Sequence, residues 1–91
     1  MGLNRFAKKR DGNEGPIIDA LRAVGCLVHQ QDFPDLTVKY QGRLHWMEIS
    51  NPNNRYRKRS QKQLDMLKLW DVPVIEYAHE AMAYLGIKVT M

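Results

Sequence analysis

The sequence predicts a small α/β domain with elements in the order α-β-β-β-α-β-α, a mixed central sheet flanked by helices. Three observations predict it. Ile17, Ile18, Leu21 and Val24 recur at helical spacing; Leu36, Val38 and Tyr40 alternate at strand spacing ahead of Gln41-Gly42; and Ser60 with Gln63 forms a helix-start signature before Met66, Leu67 and Trp70. A chain of 91 residues, 44% of them hydrophobic, is long enough for one core and no more. Residues 1–12 read as a basic N-terminal arm and 13–91 as a single domain.

Asn13 is placed to cap the first helix, Pro16 is tolerated in a first turn, and Gly25 ends it. Residues 26–29 make a short apolar strand. Pro34 opens the alternating run, Gln41-Gly42 turns it, and 43–50 return as the partner strand. Residues 51–59, with Pro52, three asparagines and a basic run, form a loop. The second helix follows Ser60, with Met66, Leu67 and Trp70 inward. A strand over 72–77 and a helix over 78–85, stopped by Gly86, complete the order.

Composition removes several function classes. Cys26 is alone, so a disulfide framework is excluded and a reducing, cytoplasmic location is expected. No apolar run approaches the ~20 residues of a membrane span, and the first residues lack a signal peptide's apolar core. His29, His45 and His79 are scattered without metal-ligand spacing, and one cysteine makes no zinc finger. There is no Gly-rich phosphate loop and no nucleophile elbow, so no organic cofactor is expected. Trp46 and Trp70 are read as core residues, base stacking being the alternative.

The net charge of +4 is moderate, but its distribution is not. Arg5, Lys8, Lys9 and Arg10 form one cluster; Arg55, Arg57, Lys58, Arg59 and Lys62 form another, with no acid between Glu48 and Asp65. Clusters of this kind are the footprint of a polyphosphate partner, solvated loops being the plainer alternative.

With Gln41-Gly42 as a two-residue turn, Tyr40 faces Arg43, Val38 faces His45 and Asp35 faces Glu48. Two carboxylates then share one face with side-chain roots about 5 Å apart. Like charges so placed are destabilising unless neutralised, and a divalent cation with oxygen ligands neutralises them. Glu14 extends the inward stripe of the first helix and is either a helix-dipole partner or a site residue. Gln63 either closes a capping box on Ser60 or reaches inward.

These residues resemble a family. Arg10-Asp11-Gly12-Asn13-Glu14, Pro34-Asp35-Leu36, Gly42-Arg43 leading to Glu48, then Gln63 and Trp70 look like the small, phage-type virus-type replication-repair nucleases (VRR-Nuc), within the PD-(D/E)xK superfamily. That superfamily includes archaeal Holliday-junction resolvases and many restriction enzymes, and the likeness runs from about residue 8 to residue 85. The resemblance implies a restriction-endonuclease-like core, a homodimer, Mg²⁺ or Mn²⁺, and cleavage of branched DNA in a bacterial or phage-infected cell. It implies that Glu14, Asp35 and Glu48 hold the metal with the Ile49 carbonyl, and that Gln63 supports the site. One position departs: the family's Glu-x-Lys reads Glu48-Ile49-Ser50. That lysine orients the attacking water and steadies charge on the phosphate, work that Ser50 does poorly. Metal-bound water or Lys58 or Lys62 are the substitutes; Lys39, roughly 13 Å from Asp35 along the strand, is too far. The alternative is a DNA-binding module that keeps the nuclease fold without catalysis.

Overall fold

The computed structural model describes residues 12–53 and 58–88. Of the expected arm over 1–12, residues 1–11, including Arg5, Lys8, Lys9 and Arg10, lie outside the described residues, as do Arg55 and Arg57. Seven elements follow the expected order: α1 (Glu14–Ala23), β1 (Leu27–Gln30), β2 (Leu36–Tyr40), β3 (Arg43–Ile49), α2 (Gln61–Leu69), β4 (Val74–Ile75) and α3 (Ala78–Leu85). The strands form one sheet in the order β1-β2-β3-β4. β1, β2 and β3 pair antiparallel and β4 joins β3 in parallel after the α2 crossover, so the sheet is mixed.

The β2–β3 register is the expected one, from Tyr40 opposite Arg43 to Leu36 opposite Met47. Gln41 and Gly42 both take positive φ, 50° and 78°, as a primed two-residue turn requires. Alternation then sends Leu36, Val38, Met47 and Ile49 to one face. There they pack with Ile17, Ile18 and Leu21 of α1, Ile75, and Ala81 and Met82 of α3.

Helix ends explain where strands start and stop. α1 closes on Gly25 (φ 95°), whose N–H meets the Arg22 carbonyl while the Cys26 N–H meets that of Leu21. Cys26 is thereby spent on the helix, and β1 begins one residue later than expected. Val24 lies past the helix and is 41% exposed, so it leaves the inward stripe. β4 is two residues long instead of six. On its N-terminal side Val72 closes α2 by bonding the Leu67 carbonyl; on its C-terminal side the N–H groups of Glu76 and Tyr77 both go to the Glu80 carboxylate, opening α3.

The helices do not flank the sheet evenly. α1 and α3 cover one face. The other face carries Leu27 and Leu44, 68% and 70% exposed, with Trp46, and it meets α2 where Trp46 and Trp70 pack edge to face, ring centroids 5.9 Å apart. Trp70 is 66% exposed and Trp46 36%, so neither tryptophan is a core residue. Their spacing matches a buried stripe, but among the described residues no second layer covers that stripe. Among the described residues no helix is long and apolar enough to cross a membrane.

Candidate functional site

The hairpin register, carried one pair beyond β2, sets Asp35 beside Glu48, and both are fully buried. Each acid is held by the other strand. The Asp35 N–H donates to Glu48 Oε1 at 3.0 Å, and the Ile49 N–H donates to Asp35 Oδ2 at 2.9 Å. The carboxyl groups themselves lie within hydrogen-bonding reach of each other. Two backbone amides at the end of the ladder thus become the fixings of two side chains.

Arg59 completes the cluster. Its Nε donates to Glu48 Oε2 at 2.7 Å and its terminal nitrogen to the Ile49 carbonyl at 3.1 Å, and the side chain is only 15% exposed. Burial lifts the Glu48 carboxyl above the ordinary carboxylate range; the Arg59 guanidinium pulls it down, and Asp35 pushes it up again. The net direction is upward, with burial the largest cause.

Glu14 is also buried, in the first turn of α1, and accepts a 2.8 Å bond from Gln30 at the end of β1. It does not make a trio with Asp35 and Glu48: among the described residues no three His, Cys, Asp or Glu side chains are grouped to hold a metal ion. The oxygens that adjoin through shared partners are those of Glu48 and the Ile49 carbonyl, bridged by Arg59, and those of Asp35, clasped to Glu48. That donor set, two anionic carboxylates and a peptide oxygen, fits a hard cation such as Mg²⁺ or Mn²⁺.

Gln63 closes the capping box, its Oε1 taking the Ser60 N–H at 3.0 Å while its own N–H donates to Ser60 Oγ at 3.1 Å. Its amide oxygen is therefore engaged at the helix start. Ser50 is half-buried, its N–H on the Ile75 carbonyl. Lys58 and Lys62 are exposed on the rim beside Arg59. His45 lies on the α3 face, edge to face with Tyr84 at 5.8 Å, away from the acids.

Sequence reasoning missed two residues. Asn13 stands at the N-cap position of α1 but makes no side-chain cap. Its Nδ2 donates instead to the carbonyls of Ser50 at 2.8 Å and Glu76 at 2.9 Å, fastening the start of α1 to the ends of β3 and β4. Arg59 reads as one of the basic run assigned to a polyphosphate partner, and its place directly before the Ser60 cap is the sole local sign that it is fixed. Compared with protein-family models, with curated proteins and with solved structures, the chain matches none of them.

Proposed function

We propose that this chain is a metal-dependent, structure-selective DNA endonuclease with a restriction-endonuclease-like core, of the virus-type replication-repair class. The observation that carries the reading is the reciprocal clasp of Asp35 and Glu48, two fully buried acids, with Arg59 bridging Glu48 and the Ile49 carbonyl beside them. Burying two carboxylates together is unfavourable for folding and makes sense where a cation is to be held. When bound there, Mg²⁺ or Mn²⁺ supplies an activated water and charge neutralisation at the scissile phosphate. The chain's own part is to hold the oxygens rigidly, with the basic residues Lys58 and Lys62, and those of 1–11 and 54–57, gripping the backbone.

The test is cleavage of a labelled four-way junction, a flap and a plain duplex in Mg²⁺, Mn²⁺ or EDTA. Branched DNA is expected to be cut only with metal, and Asp35→Ala to lower the rate by at least about 100-fold. A second reading has its own support. Ser50 stands at the lysine position, and Arg59 occupies oxygens that a cation would use. A binding module would hold the junction equally in EDTA and in metal, cut nothing, and be indifferent to Asp35→Ala.

A homodimer belongs to the same proposal. Among the described residues, Leu27, Leu44 and Trp46 leave an apolar sheet face exposed, and a second copy covering it would present two sites to a branched substrate. Sedimentation at micromolar concentration is expected to show a dimer that Leu44→Lys converts to monomer. A wild-type monomer removes the dimer from the proposal.

A further inference from the structure

Arg59 differs from its basic neighbours in where it spends its charge. Lys58 and Lys62 are exposed, whereas the Arg59 side chain is turned inward onto Glu48 Oε2 and the Ile49 carbonyl. Those are two of the oxygens assigned above to a divalent cation. A guanidinium and a metal ion compete for these oxygens, and two positive centres brought onto one carboxylate repel each other. The arginine fork spans one carboxylate oxygen and one carbonyl, a contact a single-point ammonium cannot copy. Its chain neighbours Lys58 and Ser60 are exposed, so a guanidinium released from Glu48 has solvent, and a phosphate there, beside it.

We propose that Arg59 is the resident counter-ion of the acidic pair, that a divalent cation must displace it, and that the freed guanidinium is received by a DNA phosphate. Metal and DNA then favour one another's binding, because each takes one end of the same exchange. The proposal rests on the reading of Asp35, Glu48 and Ile49 as the cation site. It gives the Ser50 departure a consequence: the positive charge absent from that position is carried by a residue that alternates between acid and substrate.

The experiment is calorimetric titration of Mn²⁺ into the full chain, as wild type, Arg59→Met and Arg59→Lys, each repeated with Asp35→Asn to identify heat from this site. Arg59→Met is expected to bind Mn²⁺ at least about tenfold tighter than wild type, with Arg59→Lys between them. Arg59→Lys keeps the charge and tests the exchange even where Arg59→Met does not fold. Equal affinities in the folded proteins overturn the displacement while leaving the cation site intact. No Mn²⁺ heat in any of them overturns the cation site, and the exchange with it. The second arm is the salt dependence of duplex binding in EDTA and in Ca²⁺. On adding Ca²⁺, wild type is expected to gain about one phosphate contact more than Arg59→Met, a slope difference near 0.9 in log affinity against log salt. An unchanged difference overturns the transfer to phosphate.

Discussion

Arg59→Met is expected to lower the unfolding free energy of the metal-free protein by about 3 kcal/mol, the lower end of what breaking a buried ion pair costs. For a domain of this size that is a fall in Tm of roughly 12–24 °C. The reason lies in what remains. Glu48 is fully buried and faces Asp35, so removing the guanidinium takes a neutralising partner from a buried carboxylate and favours its protonation or the opening of the cluster. Adding Glu48→Gln is expected to return about 2 kcal/mol of the loss, since the amide carries no charge, still accepts from the Asp35 N–H, and donates to the Asp35 carboxylate. Urea denaturation of the two single variants and the double, read as a cycle, measures this coupling. A residue that served phosphate alone would leave Arg59→Met within about 0.5 kcal/mol of wild type, with no coupling to Glu48.

Asn13→Asp is the second large effect, expected to destabilise by about 3 kcal/mol. As a helix cap, aspartate equals asparagine, and its charge would favour the helix N-terminus. A cap-only role therefore predicts no loss. The observed role needs a donor: Nδ2 serves the Ser50 and Glu76 carbonyls together. Aspartate would set a carboxylate against two carbonyl oxygens and leave both unsatisfied. Denaturation midpoints separate the two roles, and a change under about 0.5 kcal/mol would restore the cap. Because Asn13 adjoins Glu14, the variant is also expected to loosen the Glu14–Gln30 bond.

What was legible in the sequence was whatever depends on neighbours along the chain. The element order, the Gln41-Gly42 turn and its register, the Ser60–Gln63 box and the Gly25 and Gly86 stops are all local, and each stands as read. The meeting of Asp35 and Glu48 was legible for the same reason, since one turn sets it. Glu14 was half legible: its inward face is local, but its partner Gln30 comes from another element. Trp46 and Trp70 misled because periodicity reports which residues share a face and not whether anything covers that face. Asn13 reaches partners 37 and 63 residues away, and Arg59 one 11 residues away across a loop. Such contacts exist only once the sheet has formed.

The uneven attachment of the helices has a consequence for how the molecule opens. α1 buries Glu14, Ile17, Ile18 and Leu21, and α3 buries Ala81 and Met82, whereas α2 buries Leu67 alone and leaves Leu64 and Leu69 to solvent. A helix anchored by one side chain detaches at a smaller free energy than the sheet it leaves. In native-state hydrogen exchange the amides of Gln61–Leu69 are expected to take up deuterium through a sub-global opening, ahead of those in β3. The grip of Arg59 on Glu48 and Ile49, just upstream of the Ser60 cap, is then a tether as well as an ion pair. Cutting it should accelerate exchange throughout α2 while the protected strands keep their own pace.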